Sequence, residues 1–328
     1  MDKLAFIIGD TFVYWNSIVL TLAAMVAILF FLAFYIGKCG NAVAGFAAVP
    51  LSIVVSLICA RFFHWYCRFD SYDSFTAAMT DYSSGGYALM GVFLGCFLVA
   101  AVLRILHLHR SLPEMLDCMS IAGCAGITVG RLASFFNSSD RGQIVESIQS
   151  LPFVYPVTNA VSGAQEYRLA TFVIQAMVAA VLFVALAVFY IKGNKRGTLR
   201  NGDACLIFLL IYGASQVVLD STRYDSLFFR SNGFVSMVQV LGALGLALAV
   251  IVFSARMVKA RGFKVWQVPL WIVIAGLIGG AGFMEYYVQR RGNEAVFAYS
   301  VMSGCLAAVI ALTLLIRFLA ARMQQRKE

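Results

Sequence analysis

Runs of about twenty mostly apolar residues recur along this chain, and they constrain its fold more than any other feature. A run of that length spans the hydrocarbon of a bilayer as a helix, where each backbone group must find its partner within the segment. The sequence predicts such spans at roughly 14–37, 43–66, 86–108, 115–136, 167–191, 203–221, 233–256, 266–288 and 295–317. The expected fold is therefore an all-α integral membrane protein, a polytopic bundle of about nine transmembrane helices. Composition agrees: of 328 residues 61% are hydrophobic and 12% charged, where soluble domains carry about 25% charged residues. Asp2 and Asp10 lie in the first residues, and no small-residue cleavage site follows the first apolar run, so no cleaved leader is expected.

The connections separate by charge. Lys38, Arg104, Arg110, the cluster Lys192 to Arg200, the cluster Arg256 to Lys264 and the tail Arg317 to Lys327 fall on one side. On the other side Arg68, Arg141, Arg230, Arg290 and Arg291 are offset by Asp70, Asp73, Asp81, Asp140, Asp225 and Glu294. The positive-inside rule makes the first side cytoplasmic, with the N-terminus outside and the C-terminus inside a plasma (inner) membrane. The net charge of +9 is thus a topology signal, and no nucleic-acid partner is expected. Eight cysteines are scattered singly, without CxxC pairs, and read as small buried hydrophobes. No metal site and no cofactor are expected.

The two longest outer loops, about 67–85 and 137–166, hold Ser, Tyr, Asp, Gln and Gly and are the natural seat of function. Arg61, Arg131, Arg168, Asp220, Arg223 and Glu285 fall within or beside apolar runs at that side. Ionisable groups there are costly and mark candidate sites, although each can also snorkel to the interface or pair structurally. Arg61, Arg131 and Arg223 lie one or two turns inside the boundary on three helices, and three guanidiniums suit a phosphate, such as that of a phospholipid headgroup. His64, one turn after Arg61 on the same helical face, is a candidate base. Gly91, Gly95, Gly123, Gly126 and Gly130 are spaced for close helix approach.

The segments ICARFFHWY, SSGGYALMGVFLG, LPEMLDCMSIAGCAGITVGRLASFFNSSDRG, IYGASQVVLDSTRYD and SMVQVLGALGLAL follow one another at a spacing that resembles the prolipoprotein diacylglyceryl transferase family. The resemblance covers roughly residues 10–256. It implies a seven-helix core over 1–256, to which 257–328 adds two further helices and a basic tail. It also implies an activity: transfer of the diacylglyceryl group of phosphatidylglycerol to the lipobox cysteine thiol of a membrane-anchored acceptor, with release of glycerol phosphate. On the matching positions it implies phosphate or phospholipid binding by Arg61, Arg131, Asn137, Gly142 and Arg223. Catalytic roles are expected for Arg131, Asp220 and His64. Gly130, Phe135 and Gln239 also match the family pattern.

The chain departs from that pattern where acid–base chemistry is expected. Met90 stands at the family histidine, Gln216 at an arginine, Ser134 at an asparagine and Ser139 at a glutamate. Ala170 and Thr171 replace a Tyr-Glu pair. Two readings follow: a divergent phospholipid-dependent transferase, or an inactive paralogue that binds anionic phospholipid as a scaffold or partner subunit.

Overall fold

A computed structural model describes residues 4–80, 85–109, 111–137, 141–145, 153–158, 162–230, 232–291 and 294–324. Its elements are a hairpin of β1 (Leu4–Ile8) and β2 (Thr11–Tyr14), then α1 (Trp15–Cys39), α2 (Ala42–Cys67), the short α3 (Phe75–Thr80), α4 (Leu89–Ile105) and α5 (Leu112–Leu132). A second hairpin, β3 (Val154–Thr158) and β4 (Gln165–Leu169), precedes α6 (Thr171–Lys195), α7 (Asp203–Ser221), α8 (Met237–Arg261), α9 (Gln267–Arg291) and α10 (Ala295–Gln324). Among the described residues eight helices are long and apolar enough to cross a membrane, and α4 is a shorter apolar helix. The protein is a helical polytopic membrane protein, as its apolar runs predict.

Helix ends follow local chemistry. The predicted 86–108 span contracts to Leu89–Ile105 because Gly85 and Gly86 adopt φ of 66° and 84°, and His107 adopts 57°. These are left-handed values that cannot continue a right-handed helix. Gly40, at φ 65°, ends α1 with its N–H on the Ile36 carbonyl. The predicted start of the fifth span moves from 167 to Thr171, since 165–169 is strand.

The chain forms two compact units, residues 1–208 with 222–233, and 209–221 with 234–328. In the first, α1 and α5 run antiparallel: Trp15 stacks on Phe136, Gly130 faces Ala23, Gly126 faces Ala23 and Ala27, and Tyr35 meets His109. Helices α2 and α4 also run antiparallel. A Cβ at Gly91 would fall on the Ala60 backbone, and one at Gly95 would come within 2.5 Å of the Ser56 Cα. These glycines let two backbones touch, as their spacing predicts, whereas a Cβ at Gly123 would meet nothing within 4 Å. The end at which α1, α4 and α6 begin and α2 and α5 finish is called the head end here. At the opposite end Asp117, fully buried, accepts from the Gly202 and Cys205 amides at 2.7 and 2.8 Å. It thereby caps the first turn of α7 from α5. Lys38 pairs there with Glu114 at 3.2 Å.

In the second unit, α9 packs on α10 and α10 on α8, so α8 shares its unit with the two C-terminal helices. Gly213 on α7 and Gly242 on α8 meet backbone to backbone, each leaving no room for a Cβ on the other.

Candidate functional site

The residues singled out in the sequence fall into three clusters. The first is at the head end of α2. Arg61 is 2% exposed. Its Nε donates to the Ala78 carbonyl at 2.5 Å, and its Nη1 donates to the carbonyls of Gly85 and Gly86. The guanidinium lies 5.1 Å from the Tyr72 ring centroid and 5.6 Å from that of Tyr87. The fork that the sequence assigns to a phosphate thus has contacts within the protein. Those donors are committed to carbonyls of α3 and of the Gly85–Gly86 turn, and two aromatic faces hold the charge. Arg61 ties α2 to the loops that follow it. His64 shares that face, as the three-residue spacing predicts. Its Nδ1 lies 2.9 Å from the Tyr72 hydroxyl, and its ring packs where a Cβ on Gly86 would stand.

The second cluster gathers around residues 141–145, which act as the middle strand of a small sheet. On one side the Gly142 N–H donates to the Leu169 carbonyl, the Leu169 N–H to Gln143 and the Val145 N–H to Tyr167, at 3.0, 3.1 and 2.8 Å. On the other side the Gln143 N–H donates to Thr222 and the Tyr224 N–H to Arg141, both at 2.9 Å. Gly142 thus pairs with Arg223, and Ile144 with Arg168. Residues 142 and 144 share a face, as alternate strand residues do, so Arg168 and Arg223 flank that face from the two neighbouring strands. Each arginine carries its own carboxylate two residues away. Arg168 Nη2 and Nε lie 2.8 and 3.2 Å from Glu166 Oε2, and Arg223 Nη2 and Nε lie 3.1 and 3.3 Å from Asp225 Oδ1. Gly142 itself is buried, and a Cβ there would strike the Leu169 carbonyl and come within 2.8 Å of Thr171 Oγ1. A glycine is needed at this position for packing rather than for an unusual φ.

Arg131 reaches this end on the last turn of α5, where a cation suits the helix C-terminus. The 3-10 turn Ala133–Phe135 follows, with Ser134 buried and Asn137 exposed. Phe135 packs edge-on against Phe172 of α6, with ring centroids 4.7 Å apart. Asp140 and Ser139 lie outside the described residues.

The third cluster belongs to the second unit. Asp220 is 1% exposed and accepts from the Ser236 hydroxyl. Ser236 caps α8, and the Gln239 side chain closes the reciprocal capping box. Gln239 also donates to the Val217 carbonyl at 3.0 Å. Asp220 and Gln239 therefore join the end of α7 to the start of α8. Gln216 is fully buried on α7.

Sequence reasoning missed the small sheet, and with it the pairing of Arg168 with Glu166 and of Arg223 with Asp225. The available signal was the i, i+2 spacing of opposite charges in Glu166-x-Arg168 and Arg223-x-Asp225, which a strand places on one face.

The sequence model described as prolipoprotein diacylglyceryl transferase matches residues 3–255. The chain belongs to the prolipoprotein diacylglyceryl transferase family. Among curated relatives it is similar to the phosphatidylglycerol–prolipoprotein diacylglyceryl transferase of Clostridium kluyveri (strain ATCC 8527), with 24% identity over 81% of this chain and 100% of the relative. It is 26% identical to that of Streptococcus pneumoniae (strain JJA), over 64% of this chain and 76% of the relative. With that of Streptococcus sanguinis (strain SK36) the identity is 22% over 61% and 77%. The family match stops before α9 and α10 begin. Within it, Met90 is a buried thioether on α4.

Proposed function

We propose that this family member is a membrane-embedded, phospholipid-dependent transferase that moves the diacylglyceryl group of phosphatidylglycerol to the cysteine thiol of a membrane-anchored acceptor protein. The observation that carries the reading is the Gly142–Arg223 pairing, which joins two segments of the signature that are far apart in sequence. Arg223 and Arg131 would receive the phosphate, with Asn137 and the Gly142 strand beside it. As the acceptor sulfur attacks the glyceryl carbon, the carbon–oxygen bond to phosphate breaks and charge gathers on the leaving glycerol phosphate. Fixed guanidiniums lower the barrier by meeting that charge. The Arg223–Asp225 pair is no obstacle, because a partly exposed ion pair is worth about 0–1 kcal/mol and can open to a stronger anion. His64, oriented by Tyr72, is the candidate to take the thiol proton. Asp220, which accepts from Ser236 at the start of α8, is assigned a structural role rather than that of the base. The charge pattern of the connections supports a plasma-membrane orientation with the N-terminus outside and the basic loops cytoplasmic.

A second reading rests on Met90 and Gln216. Neither a thioether nor a neutral amide can do the work of the histidine and arginine they replace, which favours a paralogue that binds anionic phospholipid without turning it over. Incubation of the purified protein with phosphatidylglycerol and a lipobox peptide separates the two. Lipidated peptide above background supports the transferase, and bound phosphatidylglycerol without product supports the second reading. Absence of both removes the shared phosphate site.

A further inference from the structure

Arg168 is a buried cation that the mechanism does not use. Arg168 is 8% exposed, sits on β4 opposite Ile144, and lies 4.9 Å from the ring centroid of Tyr224. Two of its nitrogens hold Glu166 Oε2, and its Nη1 faces the Gly142 carbonyl at 3.4 Å. The Gly142 strand holds Arg223 on its far side through the Gln143 and Tyr224 amides. A single guanidinium therefore bears on three strands: β4 through its own backbone, residues 141–145 through Gly142, and residues 222–224 through the Tyr224 ring. Neither the family signature nor the proposed phosphate contacts include it.

We propose that Arg168 is a positioning residue, which sets Arg223 against the Gly142 strand and so fixes the place at which the headgroup phosphate is held. The proposal rests on the phospholipid reading above. Its physical basis is the planar fork, which spans a carboxylate and a carbonyl at once. A lysine ammonium is a point charge on a flexible stem and cannot reproduce this.

The test compares wild type, Arg168→Lys, Arg223→Lys and the double variant in nanodiscs of phosphatidylcholine, titrated with phosphatidylglycerol, with thermal unfolding measured alongside. Arg168→Lys is expected to keep the unfolding midpoint within about 3 °C of wild type, because a cation remains beside Glu166 and over the Tyr224 ring. It is expected to lower phosphatidylglycerol affinity about tenfold, as loss of one charge-assisted contact does. Losses in the double variant are expected to be less than additive, since one residue acts through the other. Wild-type affinity in Arg168→Lys overturns the proposal and leaves the phospholipid reading standing. Additive losses, or an affinity loss that only tracks the unfolding midpoint, overturn it too, by making Arg168 a general stabiliser. A wild type that shows no preference for phosphatidylglycerol removes the reading and the proposal together.

Discussion

Replacing Gly142 by alanine tests whether the signature glycine is there for space. The added methyl would fall on the Leu169 carbonyl and lie 2.8 Å from both Leu169 Cβ and Thr171 Oγ1, well inside the 3.5–4.0 Å optimum for carbon contacts. The obstruction is mainly backbone, so a rotamer change cannot relieve it. The strand must move, and movement strains the 3.0 Å bond from Gly142 to Leu169 and the 3.0 Å Thr171–Thr222 hydroxyl contact. Overpacking costs about 1–3 kcal/mol, and weakening a hydrogen bond adds about 1 kcal/mol, so about 2–4 kcal/mol is expected. For a chain of this size that is a fall of about 3–6 °C in the unfolding midpoint. Phosphatidylglycerol affinity should drop as well, because the shift displaces the strand that holds Arg223. Gly130→Ala is the internal control in the same signature: its methyl would meet Ala23 Cβ at 3.5 Å, an ordinary contact. Alanine also favours a helix by about 1 kcal/mol over glycine, so this variant should match or slightly exceed wild type. Thermal unfolding of both in detergent, with lipid titration, reads the result. A Gly142→Ala protein with the wild-type midpoint and affinity would refute the steric argument.

Asp117→Ala should destabilise by about 3 kcal/mol or more, since it removes the acceptor of two buried amides at the start of α7; a denaturation midpoint near wild type would count against the capping role. Arg61→Lys should loosen the Gly85–Gly86 turn, measured as faster hydrogen exchange at those amides, while phosphatidylglycerol affinity stays within about twofold because Arg61 faces carbonyls rather than the headgroup. Gly91→Leu should prevent close contact of α2 with α4 and lower the yield of folded protein sharply, whereas Gly123→Leu should be accepted. Met90→His, in the family's own position, should raise any transfer rate by about 10²-fold or more at unchanged lipid affinity; an unchanged rate would mean that another group already supplies the base.

The helices were legible because eight of the apolar runs are long enough to cross a bilayer, although the start of α4 was placed three residues early, at Gly86. The close α2–α4 approach was legible too, through Gly91 and Gly95. The small sheet was not. Residues 141–145 and 222–224 are short, and they pair only with segments far away in sequence, so apart from the spacing of the charges no single window shows them as strands. That is why Arg168 appeared as one more interfacial charge and why Gly142 looked like a motif letter rather than a packing constraint. The contacts of Arg61 were hidden for a related reason: an arginine near the headgroup level can face lipid or backbone, and its bonds to the Ala78, Gly85 and Gly86 carbonyls appear only in the fold.

The immediate surroundings of Asp220 and of His64 narrow the search for a base. Asp220 is buried and already accepts from the Ser236 hydroxyl, which in turn caps α8. Taking a proton there would weaken the acceptor that orders the cap, so turnover would disturb the fold with every cycle. His64 carries no such burden: its Nδ1 is set by Tyr72, and proton uptake at Nε2 leaves that contact in place, with Nδ1–H donating to the hydroxyl oxygen. Tyr72→Phe should therefore slow transfer by about tenfold while leaving phosphatidylglycerol affinity unchanged, since it removes the orienting contact of the base and touches no phosphate ligand. His64→Gln should slow it further, by about 10²-fold or more. If His64→Gln transfers at the wild-type rate, proton removal does not pass through this histidine, and the acceptor thiol must be deprotonated elsewhere.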